Sequence, residues 1–141
     1  MSIVLNDNVR KALTSGNLAH LVTLNPDGSP QISIVWVGLE GDEIVCAHLG
    51  SWKKVKNILQ DSRVALSMET GGKNAFGLDN YLVISGRARI TEGGAPELLQ
   101  RLAYVYIGPG VDFPPDKSSP GYITHIVAEH IYGSGPWNAQ S

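Results

Sequence analysis

The sequence predicts a small, mainly β domain in which six antiparallel strands form a closed or nearly closed barrel with three flanking helices. Three observations predict it. The chain has 141 residues with a 43% hydrophobic fraction, enough for one core. Its apolar runs are short, β-branched and separated by tight turns. One of those runs, Gln31 to Leu39, is apolar on both alternating faces, so each face needs cover, one as barrel core and the other as an interface. Closure of the sheet removes exposed edges, which favours a barrel over an open sheet.

The elements follow in order. Asn6 or Asp7 caps a short helix that carries Val9, Ala12 and Leu13 on one face, and Gly16 suits its C-terminus. Ala19 to Asn25 and Gln31 to Leu39 are strands around the turn Asn25-Pro26-Asp27-Gly28-Ser29-Pro30. Glu40-Gly41-Asp42 turns into a third strand, Glu43 to His48. Ser51 caps a helix through about Gln60, with Trp52, Val55 and Leu59 as its apolar stripe. Arg63 to Glu69 and Tyr81 to Thr91 are strands joined by the glycine-rich loop Thr70 to Asn74. A third helix spans Glu97 to Ile107 and stops at Gly108-Pro109-Gly110. A proline-rich loop, Asp112 to Gly121, leads to the last strand, Tyr122 to Tyr132, and a short tail through Trp137. No repeat or linker divides the chain, which reads as a single domain over residues 1–141.

Composition narrows the function. A net charge of −2 supplies no global attraction for nucleic acid, and no apolar run has the eighteen or so residues of a membrane span. The charged fraction, 17%, is below the roughly 25% of an average soluble protein, which points to surface buried in a homodimer. The single cysteine, Cys46, lies in an apolar run, and the N-terminus lacks the pattern of a secretory signal; both fit a cytoplasmic protein. No Gly-x-Ser-x-Gly elbow and no cysteine paired with an obvious base supports a hydrolase, and Gly71-Gly72-Lys73 lacks the first glycine and the hydroxyl residue of a phosphate-binding loop.

The most informative segment is His48-Leu49-Gly50-Ser51-Trp52-Lys53-Lys54-Val55-Lys56-Asn57. Three lysines crowd the first turns of a helix whose N-terminus is already partly positive, a conflict that a bound phosphate resolves. Gly50 allows close backbone approach, and Ser51 adds a hydroxyl donor. His20, His48, His125 and His130 are dispersed without metal-site spacing, so no metal is expected. His48 stands out because it ends the strand that feeds the basic helix. Trp36 and Trp52 read as core or interface anchors. Trp137 follows a flexible Gly-Ser-Gly-Pro tail and is the candidate substrate-side residue, on the rim of a neighbouring active site.

The strand Pro30-Gln31-Ile32-Ser33 after the Asn-Pro-Asp-Gly turn, together with Lys54-Val55-Lys56-Asn57-Ile58-Leu59-Gln60-Asp61-Ser62-Arg63-Val64, resembles the pyridoxamine-phosphate-oxidase-like split-barrel superfamily. The tail Ile131 to Trp137 and the segments Tyr106-Ile107-Gly108-Pro109 and Phe113-Pro114 resemble its small branch that uses the deazaflavin coenzyme F420. The resemblance runs over nearly the whole chain. It implies a homodimeric oxidoreductase that moves a hydride between F420 and a small conjugated or heteroaromatic substrate, with FMN as the nearest cofactor alternative and a flavin, F420 or haem carrier as the other class. It implies that Lys54 and Lys56 hold the cofactor phosphate and that the ring lies along Gln31, Ser33 and Val35, with His48, Ser51 and Asn57 as neighbouring candidates. The chain departs from many relatives at Trp52, where they carry arginine. The resemblance assigns no catalytic side chain, in keeping with a cofactor that carries the reaction itself.

Overall fold

The first hairpin is set by its turn. In the computed structural model, which describes residues 3–137, the Asn25 N–H donates to Ser29 O at 2.8 Å, the Gly28 N–H donates to Asn25 O at 2.8 Å, and the Asp27 carboxylate accepts from the Ser29 N–H. Gly28 supplies the left-handed residue that closes the turn. Strands β1 (Ala19–Leu24) and β2 (Pro30–Val35) therefore pair with Thr23 opposite Gln31, Leu21 opposite Ser33 and Ala19 opposite Val35.

The strand expected over Gln31 to Leu39 is broken at Trp36 and Val37. Its first half is β2; its second half, β3 (Gly38–Glu40), pairs with β4 (Glu43–His48). The break makes seven strands where six are expected. With β5 (Arg63–Lys73), β6 (Asp79–Glu92) and β7 (Tyr122–Ser134), the antiparallel order is β2-β1-β5-β6-β7-β4-β3. The two halves of one run thus form opposite edges of one sheet. Laid flat at about 4.8 Å per strand, those edges would stand roughly 29 Å apart. The three residues from Val35 to Gly38 reach at most about 11 Å, so the sheet must curl until its edges meet. They meet without pairing, and the barrel is not closed by hydrogen bonds.

At this seam the Val37 N–H donates to the Tyr106 hydroxyl at 3.0 Å, which itself donates to Asn17 O at 2.7 Å. Gly38 is needed there because a Cβ would stand 2.8 Å from Leu102 Cδ2 on helix α3 (Ala95–Tyr106). That helix begins two residues before the expected Glu97, since Pro96 fits its first turn. The expected loop Thr70 to Asn74 is mostly strand: Gly71 and Gly72 make an irregularity in β5, and the Asn74 side chain accepts from the Phe76 and Leu78 N–H groups to form the hairpin tip. On β6, Gly86 lies against a bulge in β7, where a Cβ would fall 2.0 Å from Val127 O.

Helix α1 (Asp7–Leu13) is capped by the Asn6 side chain, which accepts from the Val9 N–H, and it contributes Val9, Ala12 and Leu13 to the barrel core. That core includes Leu21, Val35, Val37, Ile44, Leu66, Leu82, Ile84 and Ile126. A smaller cluster, Val45, Leu98 and Leu102, seats α3 on the outside of the sheet with Trp36, Tyr106 and Ile123. Helix α2 (Lys53–Gln60) buries Val55, Asn57 and Ile58. The expected stripe of Trp52, Val55 and Leu59 is not its inner face, because Trp52 precedes the helix and Leu59 points to solvent. Among the described residues, no helix is long and apolar enough to cross a membrane.

Candidate functional site

The sheet seam opens a cavity of about 240 Å³. Ile34, Val35 and Trp36 at the end of β2, Ala47 and Leu49 at the end of β4, Trp52 and Lys54 at the start of α2, Leu99 of α3 and Phe113 line it. The wall is apolar and aromatic, and Lys54 is its single ionic side chain. Trp36 stacks on Tyr106 with ring centroids 5.2 Å apart and an interplanar angle of 11°, and it meets Phe113 at 5.4 Å and 50°. Such a surface suits a flat conjugated molecule.

The start of α2 gives the cavity its charge. Trp52, not the expected Ser51, is the N-cap residue; no side chain caps this end, and no acidic residue lies in the first turn. Ser51 is exposed beside it. The Trp52 indole folds over Gly50, where a Cβ would be 2.6 Å from Nε1. Lys54 Nζ lies 5.0 Å from the centroid of the Trp52 ring, a cation–π contact, and burial lowers the pKa of this half-buried ammonium. Among the described residues Lys53, Lys54 and Lys56 form no ion pair, and Lys53 and Lys56 face solvent. The positive end of the helix is thus uncapped and its lysines have no ion-paired carboxylate, while the Asp27 charge acts on Lys53 from the first hairpin turn.

His48 lies behind Trp52, with ring centroids 6.4 Å apart in an edge-on contact. It is 1% exposed; its Nε2 is 2.7 Å from Thr124 Oγ1, and its Nδ1 is buried without a partner. Burial, with the charge of Lys54 second, pushes its pKa down to about 4. The ring is neutral at pH 7 and both nitrogens are enclosed, so it offers no axial ligand to a haem in this conformation. Gly121 permits the close approach here, since a Cβ would meet His48 O at 2.3 Å.

Gln31, Ser33, Val35 and Asn57 meet in part. Val35 lines the cavity, while Gln31 and Ser33 belong to a polar chain that runs to α2. Asn57 Nδ2 donates to Thr23 Oγ1 at 3.1 Å, Thr23 Oγ1 to Gln31 Oε1 at 3.1 Å, and Gln31 Nε2 to Ser33 Oγ at 3.2 Å. Asn57 also donates to Asn25 Oδ1, so its buried amide ties α2 to the sheet and is not free for a ligand. The Trp137 ring is buried against its own barrel, where Nε1 donates to Tyr81 O at 2.8 Å and its carbonyl accepts from Asn6, and it does not line the seam cavity of its own chain.

Sequence reasoning missed the cavity roles of Ile34, Trp36, Leu99 and Phe113, because aromatic and aliphatic residues in apolar runs look the same whether they fill a core or line a pocket. Elsewhere, Thr91 Oγ1 lies 2.9 Å from His125 Nε2, and Glu43 Oε1 lies 3.4 Å from His125 Nδ1. Arg89 pairs with that carboxylate at 2.8 Å, and none of these residues lines the seam cavity. Among the described residues, no group of His, Cys, Asp or Glu is placed to hold a metal ion.

A curled antiparallel sheet with an aromatic seam cavity beside a basic helix start defines the architecture of this small β protein. The chain belongs to the pyridoxamine 5'-phosphate oxidase family, whose sequence model matches residues 5–121. Among solved structures it is similar to an F420 reductase, at 23% identity over 91% of this chain and 98% of that one, with a TM-score of 0.73. HupZ of Group A Streptococcus is similar at 20% identity over 96% and 99% of the two chains, with a TM-score of 0.65. A conserved hypothetical protein from Mycobacterium tuberculosis is similar at 23% identity over 94% and 86%, with a TM-score of 0.72. At these identities the likeness establishes the fold. No curated protein matches the chain.

Proposed function

We propose that this protein is a cytoplasmic, coenzyme F420-dependent reductase that transfers a hydride to a small conjugated or heteroaromatic substrate, with FMN as the nearest alternative cofactor. The observation that carries the reading is the juxtaposition at the seam of an apolar aromatic cavity and the uncapped, three-lysine start of α2. The residues fit a molecule with a flat ring and a phosphate: Val35, Trp36 and Trp52 give the ring a surface, and Lys54 with the free α2 amides gives the phosphate its donors. When bound, the deazaflavin supplies the hydride-carrying ring, and the protein's share is position, electrostatics and exclusion of water. Trp52, in place of an arginine, leaves Lys54 as the half-buried cation at the cavity wall. Lys53 and Lys56 extend positive charge outward, which suits the acidic oligoglutamate tail of F420.

A cavity of 240 Å³ is smaller than the roughly 300–1,000 Å³ of a site for a drug-sized ligand, so one chain supplies only part of the cleft. A second copy completes it. Ile34 lines the cavity and is 62% exposed, as is Ile32, so a homodimer packed on this face of β2 covers both isoleucines and walls the cleft.

Fluorescence titration of the purified protein with F420 and with FMN, at low and at moderate salt, tests the assignment. Tighter binding of F420, with its advantage largest at low ionic strength where charges are least screened, is the expected result. FMN binding equally well or better at low salt overturns the deazaflavin assignment. Lys54→Ala is expected to weaken binding by roughly 1.5–3 kcal/mol, the worth of a charge-assisted contact. Lys73→Ala, at the exposed hairpin where Lys73 pairs with Asp79, is expected to leave it unchanged.

A further inference from the structure

The wall of the cavity remote in sequence from the lysines is built by α3. Leu99 lines the cavity directly. Its neighbour Gln100 turns to the loop that follows the helix: Oε1 accepts from the Phe113 N–H at 2.9 Å, and Nε2 donates to Val111 O at 2.6 Å. One side-chain amide thus satisfies a donor and an acceptor two residues apart and fixes the backbone on which the Phe113 ring is carried. Two turns further along α3, Tyr106 stacks on Trp36 while its hydroxyl holds the seam. Trp36 is flanked by the Tyr106 and Phe113 rings.

We infer that Phe113 is a specificity-determining residue, the contact against which a flat apolar substrate packs, and that Gln100 is the positioning residue that sets it. The inference rests on the reading of the seam cavity as the cofactor and substrate cleft. Two observations separate Phe113 from the cofactor's side. It lies on the 107–121 loop rather than on the α2 segment that bears the lysines, and its part of the lining carries no charge. A ligand that meets this wall gains apolar and aromatic contact and no ionic contact, so its chemical class is an uncharged conjugated ring such as a quinone or cyclic enone. A loop held at both backbone groups by one glutamine is also a compact place to set substrate range, because a change at Gln100 moves Phe113 without touching Lys54 or α2.

The test uses the full chain, with duroquinone as the uncharged probe and FMN and F420 as cofactors. Binding of duroquinone is read by quenching of tryptophan fluorescence, with and without cofactor, and cofactor affinity is read by separate titration. Phe113→Ala is expected to weaken duroquinone binding at least fivefold while cofactor affinity stays within twofold; Phe113→Tyr, which keeps the ring, is expected to restore it. Gln100→Leu is expected to follow Phe113→Ala in part. Gln100→Glu, which still accepts from the Phe113 N–H but cannot donate to Val111 O, is expected to fall between Gln100→Leu and the wild type. In turnover the same variants are expected to raise KM for the quinone with kcat nearly unchanged. Duroquinone affinity unaltered in Phe113→Ala and Gln100→Leu, or absent in the wild type, overturns the inference. Failure of both cofactors to bind the wild type overturns the functional reading instead, and the duroquinone series measured without cofactor still decides the role of Phe113.

Discussion

His48 puts a proton-linked cost into the fold. Its imidazole has a pKa of about 4 in the folded chain against an ordinary value of 6.5. Between these values the unfolded chain binds a proton that the folded chain refuses, so stability rises with pH across the window and is fully present above about 6.5. Acidification from pH 7 to pH 4 is expected to remove on the order of 2–3 kcal/mol through this residue. Urea unfolding at a series of pH values checks it: His48→Gln should flatten the slope between pH 4 and 6.5, and a parallel slope in that variant would assign the acid sensitivity elsewhere. The same residue shows what a sequence conveys. That His48 ends a strand beside a basic helix is plain from the chain, whereas its enclosure by Thr124 depends on a residue 76 positions away. Lys54 was legible because the conflict between a lysine and a helix N-terminus is local. Trp36 and Phe113 were not, because Tyr106 and Phe113 stand 70 and 77 residues after Trp36 and the three rings form a cluster only in the folded chain.

Helix α2 is held by a polar contact at a position that looked like part of a binding surface. Asn57 is 3% exposed and donates to both Thr23 and Asn25. Asn57→Ala is expected to cost about 1–3 kcal/mol, since it leaves the buried Thr23 hydroxyl and the half-buried Asn25 side-chain carbonyl without their donor. Leu59→Ala, on the exposed face, is expected to stay within about 0.5 kcal/mol. Denaturant midpoints for the two variants measure the contrast, and equal midpoints would remove the tie assigned to Asn57. Most strand and helix positions follow from short-range signals: Asn-Pro-Asp-Gly at the first turn, Asn6 at the first cap, Gly108 after α3. The inner face of α2 and the break in the Gln31 to Leu39 run do not. A half-polar helix can be turned by one buried asparagine, and an uninterrupted apolar run carries no mark of where it changes partners.

For the whole molecule, the outer face of β2 leaves Ile32 and Ile34 exposed on a single chain. In the proposed homodimer, covering Ile32 and Ile34, each 62% exposed, would stabilise the association by about 1–2 kcal/mol per side chain. Ile34→Lys is expected to shift the light-scattering mass at micromolar concentration toward that of one chain and to weaken cofactor binding along with it. A wild-type protein that stays a monomer while it binds cofactor would contradict the dimeric cleft. The antiparallel, helix-flanked architecture was readable from the order of short elements. The curl was readable only in part, because it follows from which edges the two halves of the broken run occupy.

That arrangement also dictates when parts of the molecule take shape. β2 and β3 are neighbours in the chain, but they become opposite edges of one sheet only when β4 is paired with β7, whose partners Ile44 and Ile126 lie far apart in sequence. Ladders of such long reach place folding in the slower range of small domains, milliseconds to seconds. The Tyr106 contacts tie Val37, at the break between β2 and β3, to Asn17 ahead of β1, and they are expected to form after those ladders and after the rate-limiting barrier. Tyr106→Phe should accordingly leave the refolding rate almost untouched and hasten unfolding, a signature visible in the two arms of a stopped-flow chevron. A variant that instead refolds slowly would mean that the Tyr106 tie is where the chain begins to fold.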